Sequence, residues 1–273
     1  MLQKKTILLT GSTGGLGNYL ANYFLSKGYK VISIDRKKIN RKKSNFYQYI
    51  CDLRHSKKLE TVLQQISKKH SKLDLFIGCA AKEGNIGKPE KTEYNSWLNV
   101  FKVNIFSQSI IVKNATEMMK KNKTGGTIIL FSGGGSTTYP IGVRKNLNEY
   151  SCSKISLIKF SENLASSFIE QKIKINVNII APGLMPTKMS KNILNKGNSF
   201  LGKESKIIEN ALNDKNKEIY FLPVLQMINF LFKNKSISGK VLSPTWDNLK
   251  KLKKNIKKIS RNKNIYTIRR IIR

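Results

Sequence analysis

"TGSTGGLG", residues 10–17, follows the apolar run Thr6-Ile7-Leu8-Leu9 and precedes a helix-like stretch from Asn18 to Lys27. Strand, glycine-rich turn and helix, in that order, form the setting in which such a turn cradles a dinucleotide diphosphate. Glycine serves there in three ways: it makes the tight turn, lets the backbone approach the phosphates and lets helix pack close to strand. The helix beyond aims its free N–H groups at the ligand. Two spacings fit. Gly11, Gly15 and Gly17 give TGxxxGxG, whereas Gly11, Gly14 and Gly17 give TGxxGxxG. Ser12, Thr13 and Leu16 complete the turn and are candidate cofactor contacts with Gly11, Gly15 and Gly17.

Outward from this turn the chain alternates between strand and helix patterns. Strands are expected at "KTILLT", "KVISID", "FYQYICDL", "LDLFIGCAA", "GTIILFS", "KINVNIIAPG" and "GKVLSP". Helices are expected after the first turn, over 56–70, 97–121 and 149–170, where apolar residues recur at helical spacing. The fourth strand is apolar without alternation, as a strand covered on both faces should be. This predicts an α/β, doubly wound Rossmann fold: a parallel seven-stranded sheet flanked by helices. Residues 184–222 are polar, Lys/Asn-rich and less regular, and they follow a strand end, where ligand-covering loops belong. We expect one catalytic domain over 1–245 and a basic amphipathic extension over 246–273, with Leu249, Leu252, Ile256 and Ile259 forming a helical stripe.

Composition bounds the reading further. The 273 residues, 40% hydrophobic, suffice for one large core. No run is long and apolar enough to span a membrane, and the chain enters its first strand within a few residues of Met1, so a cytoplasmic location is expected. The three cysteines are far apart and read as reduced core thiols, and no metal-ligand spacing appears. The net charge of +35 invites a nucleic-acid or membrane-surface role, but only eight of the 51 basic residues are Arg. A phosphate or base reader leans on Arg, so A/T-rich codon usage explains the lysines better.

Asp35 ends the second strand, where a carboxylate can accept hydrogen bonds from the adenosine ribose. It would repel a 2′-phosphate, which favours NAD as cofactor; NADP stays open, since Arg36 can stack on adenine or reach that phosphate. Tyr150 and Lys154 lie one helical turn apart and share a face. Tyrosine normally titrates near pH 10, and bringing it to about 7 needs roughly 4 kcal/mol of preference for phenolate. A neighbouring ammonium supplies such a preference in a dry site. Tyr150 could then exchange a proton with an oxygen while hydride moves at the attached carbon.

With these residues in place the chain resembles the short-chain dehydrogenase/reductase family over nearly its whole length. "CDL" at 51–53 is similar to the family's adenine-contacting segment, which implies Asp52 and Leu53 as cofactor contacts. "GCAA" at 78–81 stands where the family usually has Asn-Asn-Ala-Gly; Cys79, Ala80 and Ala81 then line the cofactor, and the hydrogen bonds tying the sheet there must be made differently. "VNIFS" supplies Asn104, the family's helix-bulge asparagine in the proton relay. "VNIIAPGLMPT" implies Pro182, Gly183 and Thr187 at the nicotinamide. The short type of the family uses TGxxxGxG. The extended type uses TGxxGxxG and carries a C-terminal substrate domain. About 90 residues follow Gly183, too few for such a domain once strand and tail are placed. The short type is therefore expected, with Gly15 as the close-approach residue.

The family's catalytic serine follows the fifth strand. Ser132 is the preferred candidate because a strand end holds a side chain more rigidly than a glycine loop, and Ser136 is the alternative. The commoner alignment would put it at Gly133. "SGK" at 238–240, "WD" at 246–247 and "YTIRRI" at 266–271 resemble a subgroup associated with surface-polysaccharide or sugar-nucleotide metabolism, which implies a sugar-derived small-molecule substrate. Family members pair through the helices corresponding to 97–121 and 149–170, implying a homodimer or homotetramer. The expected function is NAD(P)-dependent oxidoreduction at a carbonyl or hydroxyl carbon. The alternative is a dinucleotide-binding sensor or scaffold without turnover.

Overall fold

The computed structural model describes residues 4–133 and 146–269, with the backbone alone at 197–200 and 203. Seven strands form one parallel sheet: β1 (Thr6–Thr10), β2 (Lys30–Asp35), β3 (Phe46–Ile50), β4 (Leu75–Gly78), β5 (Gly126–Phe131), β6 (Ile175–Ile180) and β7 (Lys240–Leu242). Their spatial order is β3-β2-β1-β4-β5-β6-β7. The order reverses between β1 and β4, and at such a switch point a crevice opens beyond the carboxyl ends of the strands. Gly11 and Ala80 flank it: a Cβ on Gly11 would stand 3.2 Å from the Ala80 backbone.

Helices cover both faces. α1 (Gly15–Ser26) packs on one face, and α2 (Ser56–Lys69) on the other. A third helical stretch runs as α3 (Tyr94–Phe101), a π-helical turn over Lys102–Phe106, and α4 (Ser107–Lys120). The long α5 (Asn148–Glu170) joins α2 and α4 around a core containing Leu59, Ile66, Phe76, Ile111 and Leu157. The opposite core holds Ile7, Leu20, Phe24, Ile77 and Ile228. β1 is fully buried along its length, as expected for a strand sandwiched by helices.

Three expectations are corrected. Residues 184–222 are not irregular: they form α6 (Lys188–Leu201), α7 (Lys203–Asn213) and the start of α8 (Glu218–Lys233). Ile193, Ile208 and Ala211 are buried, so tertiary packing supplies the helix stability that their Lys/Asn-rich sequence lacks. The helix expected from Trp97 begins three residues earlier and contains the π turn. The single amphipathic tail helix is two short ones, α9 (Leu249–Lys254) and α10 (Ile256–Arg261), broken at Asn255. Their stripe is covered by the chain itself: Leu252 and Ile259 are buried in the α1–α8 core, with Leu249 and Ile256 packed against it.

Candidate active site

The glycine-rich turn answers the question of spacing. A Cβ on Gly17 would stand 2.2 Å from the Gly11 carbonyl oxygen, so α1 can approach β1 only with glycine there. A Cβ on Gly15 would meet the Thr187 methyl at 3.0 Å and the Phe221 ring at 3.4 Å; one on Gly14 would make only ordinary contact, at 3.5 Å. Gly14 is the N-cap of α1 and provides no side-chain cap. The amides of the first turn are therefore left for an anion, which is what a diphosphate requires. The spacing that matters is TGxxxGxG. Leu16 is half-buried against the α1 core, while Thr13 is exposed at the turn.

Asp35 closes β2 beside this turn. Its carboxylate accepts from the Ser12 hydroxyl (2.7 Å), the Thr13 N–H (3.3 Å) and Gln48 Nε2 (3.0 Å), and the residue is 3% exposed. Gln48 was not foreseen; register is the signal, since parallel pairing sets β3 along β2 and brings Gln48 opposite Ser33. Arg36 is exposed. Asp52 is bound by Arg54, whose Nη2 lies 2.7 Å from its carboxylate, and this partner holds its pKa down at about 2. Leu53 is buried in the core.

The departure at "GCAA" has a physical account. The Thr10 hydroxyl accepts from the Ala80 N–H at 3.1 Å, tying β1 to the β4 end. Gln108 fills the space beside Gly78, where a Cβ would stand 2.5 Å from its Oε1. Cys79 and Ala81 are half-buried along the same segment. Burial pushes the Cys79 thiol pKa up, opposed by the charge of Lys154.

Lys154 is the buried cation of the site. Its Nζ donates to the Phe131 carbonyl at 2.8 Å and lies 5.4 Å from the centre of the Tyr150 ring. Burial lowers its pKa to about 8, so it is mostly protonated at neutral pH. Tyr150 is half-buried and abuts the β5 end: a Cβ on Gly133 would stand 2.4 Å from its hydroxyl oxygen. A side chain at 133 would require the Tyr150 side chain to shift. Ser132 is 2% exposed and its hydroxyl has no partner among the described residues. Ser136 lies outside the described residues.

Asn104 sits in the π turn, where the extra residue turns its side chain inward. Its Nδ2 donates to the Lys82 carbonyl and to the Ser153 hydroxyl, both at 2.9 Å, and its Oδ1 accepts from the Lys82 N–H at 2.8 Å. Ser153 in turn donates to the Tyr150 carbonyl at 2.7 Å. The Asn104 side chain is a positioning group linking the β4 loop to the Tyr150 helix. Glu149, also unforeseen, fastens the same loop: fully buried, it accepts from the Asn85 N–H (3.1 Å) and the Ser96 hydroxyl (2.7 Å). On the other side Pro182 and Gly183 turn the chain after β6, and Thr187 caps α6 through the Ser190 N–H. A Cβ on Gly183 would stand 2.4 Å from Thr245 Oγ1, and its φ is +77°. The structure thus brings the cradle, Lys154, Tyr150, Ser132 and the Pro182–Thr187 segment to the carboxyl edge of the sheet. No group of three or more metal-ligating side chains occurs among the described residues, and none of their helices is long and apolar enough to cross a membrane.

This crevice, with a tyrosine and a lysine one helical turn apart, defines a dinucleotide-dependent oxidoreductase class. The chain belongs to the short-chain dehydrogenase family, whose sequence pattern matches residues 5–198. It is 31% identical over 201 residues to 3-oxoacyl-[acyl-carrier-protein] reductase of Buchnera aphidicola, covering 70% of this chain and 78% of that one. A Brucella melitensis 3-ketoacyl-(acyl-carrier-protein) reductase complexed with NADH shares the fold, with TM-score 0.72, 19% identity, and 89% and 97% of the two chains covered. A Shigella flexneri short chain dehydrogenase complexed with NADP does so too, with TM-score 0.71, 18% identity, and coverage of 88% and 97%. The chain is therefore an oxidoreductase of the short-chain dehydrogenase family.

Proposed function

We propose that the protein interconverts a carbonyl and a hydroxyl group on a small molecule, with Tyr150 as the proton-exchanging residue. The observation that carries this reading is the buried Lys154 ammonium beside the Tyr150 ring, at the strand edge next to the cradle. A bound nicotinamide dinucleotide supplies or accepts the hydride. In the reductive direction the Tyr150 O–H bond breaks and its proton passes to the substrate oxygen. The phenolate left behind is favoured by the Lys154 charge in a site of low dielectric. In the oxidative direction the phenolate takes that proton back. Ser132, its buried hydroxyl unpartnered among the described residues, orients the substrate oxygen. Gly11, Gly15 and Gly17 hold the diphosphate, Asp35 a ribose hydroxyl, and Pro182, Gly183 and Thr187 the nicotinamide end.

The substrate is read as sugar-derived, on the resemblance of residues 238–240, 246–247 and 266–271 to the polysaccharide-associated subgroup. A pair of chains is read from the exposed apolar side chains Phe106 and Ile155 on the π turn and α5. The test is a nicotinamide-absorbance screen of aldoses, nucleotide sugars and simple ketones with both cofactors. Turnover of at least one carbonyl or hydroxyl compound is expected. A protein that binds the dinucleotide and turns over none of them would instead support the sensor reading.

A further inference from the structure

Five strands of the sheet begin on or just after a lysine. "KKTILLT", "YKVISID", "SKLDLFIG", "NKTGGTIILF" and "KIKINVNII" place Lys5, Lys30, Lys72, Lys123 and Lys174 at the entries of β1, β2, β4, β5 and β6. In space these strands are consecutive, in the order β2-β1-β4-β5-β6. The five lysines therefore form a row along the amino edge of the sheet, opposite the edge that holds the cradle. Backbone bonds keep the entries aligned: the Lys30 N–H donates to the Lys5 carbonyl (2.9 Å), the Asp74 N–H to the Thr6 carbonyl (2.9 Å) and the Gly126 N–H to the Lys174 carbonyl (3.0 Å). At about 4.8 Å per strand the row is roughly 19 Å long.

The row is recessed. A cavity of about 150 Å³ is lined by Lys4, Lys5, Lys30 and Lys72, and a second of about 380 Å³ by Lys120, Lys123, Lys172 and Lys174; Asn122 lines both. Lys5 is paired with Asp74 (3.0 Å) and Lys120 with Glu117 (2.9 Å). The other six lysines have no ion pair among the described residues, and Asp74 is the one acid among the described residues lining either cavity. Neighbouring groups feel this crowding. Burial lowers the pKa of Lys235, whose Nζ donates to the Thr124 carbonyl near the β5 entry (2.5 Å), and the Lys5 charge lowers it further against the pull of Asp74. His70, which lines the first cavity, is brought to about 4 by burial and then by Lys30 and Lys69. A cleft lined by one sign of charge concentrates that potential, and an anion bound in it relieves the repulsion.

A linear row of cations calls for a linear anion. Lysine is a compact point charge that binds phosphate without the fixed fork of arginine. Each lysine engaged releases counterions from a densely charged chain, so affinity accumulates along the row. A nucleic-acid strand would also need rings on which to stack its bases. His70, 3% exposed, is the one ring among the described residues lining the two cavities. The geometry thus favours a chain of phosphates that carries no bases.

We propose that the amino edge of the sheet, from Lys30 across to Lys174, is a binding trough for a linear inorganic polyphosphate. The trough is separate from the carboxyl-edge crevice, and the assignment does not rest on the reading of that crevice as a catalytic site.

The experiment is a calorimetric titration of the full chain with medium-chain inorganic polyphosphate at physiological ionic strength. Wild type is compared with Lys30→Gln/Lys72→Gln/Lys174→Gln, which removes one lysine at each of β2, β4 and β6. A second triple variant, Lys250→Gln/Lys253→Gln/Lys257→Gln, removes exposed lysines of α9 and α10. Both lower the net charge equally, so the second controls for the general field of a +35 protein. The trough variant should bind about 10-fold more weakly or worse, and its plot of log K against log salt should be shallower by about two. The tail variant should stay within about two-fold of wild type. Melting curves show whether each variant is folded. The single variants Lys72→Gln and Lys174→Gln, at exposed positions, carry the test if the triple variant melts early; each should weaken binding by about two- to three-fold. No binding by wild type, or equal weakening in the trough and tail variants, would overturn the assignment. Binding of a thymidine oligonucleotide or of poly-glutamate as tight as that of polyphosphate would overturn it too.

Discussion

Substituting alanine in turn at Gly14, Gly15 and Gly17 separates the two spacings in energetic terms. At Gly17 the new methyl would sit 2.2 Å from the Gly11 carbonyl oxygen and 2.9 Å from its carbon. These are backbone atoms of the turn itself and cannot swing away, so α1 must be displaced from β1. Overpacking of this kind costs about 3 kcal/mol, at the upper end of the usual range. For a domain of this size that lowers Tm by roughly 6 to 12 °C. At Gly15 the methyl meets the Thr187 methyl at 3.0 Å and the Phe221 ring at 3.4 Å, both of them side chains. A shift of a few tenths of an ångström relieves the contact, at a cost of about 1 kcal/mol. The larger effect is on dinucleotide affinity, because Thr187 is pushed at the N-cap of α6. Gly14 has φ −93° and ψ 166°, which alanine adopts readily. The entropy gained there offsets the weaker cap, leaving stability within about 0.5 kcal/mol. The assays are chemical denaturation and NADH titration. A Gly14→Ala variant that loses as much stability and affinity as Gly15→Ala would refute the TGxxxGxG assignment and return the question to the extended spacing.

Other outcomes follow from the same geometry. Gln108 is 1% exposed with neither amide atom paired among the described residues; Gln108→Met should raise stability by about 1 kcal/mol in urea melts, since two orphaned polar atoms disappear at similar volume. His70 is 3% exposed, and burial together with Lys30 and Lys69 lowers its pKa to about 4. A depressed histidine contributes stability at neutral pH that is lost as pH falls from about 6.5 to 4, by up to about 3 kcal/mol; His70→Phe should flatten that part of the stability–pH curve, and an unchanged slope would discount the burial effect. Ser132→Ala should reduce turnover far more than Ser136→Ala, and the reverse ranking in kcat would move the substrate-orienting hydroxyl to Ser136.

Much of this architecture is legible in the sequence because parallel strands buried on both faces read as uninterrupted apolar runs. β2 and β5 were bounded closely by that signal alone. The Tyr150–Lys154 pair was equally legible, since helical spacing fixes which side chains share a face. The misses have physical causes. α8, "EIYFLPVLQMINFLFK", is apolar nearly all round and contains Pro223, so it shows little amphipathic period. α6 and α7 are rich in Lys and Asn and depend on the burial of Ile193 and Ile208. The π turn at Asn104 needs one extra residue in a helix that periodicity alone cannot distinguish from a regular one. Gln108 against Gly78, Glu149 against Asn85 and Arg41 against Asn18 each join residues more than 20 positions apart, and only the folded chain shows them together.

The central claim is that Tyr150 exchanges the proton in a dinucleotide-dependent oxidoreduction. Tyr150→Phe removes one oxygen and keeps the ring that packs against Gly133 and Lys154. On whichever panel substrate the wild type converts, the variant should lose about 10²- to 10⁴-fold in kcat. Its dinucleotide affinity, measured by titration, should stay within about two-fold, because the cradle glycines and Lys154 are untouched. A Tyr150→Phe enzyme that retains most of its kcat would contradict the account at its centre.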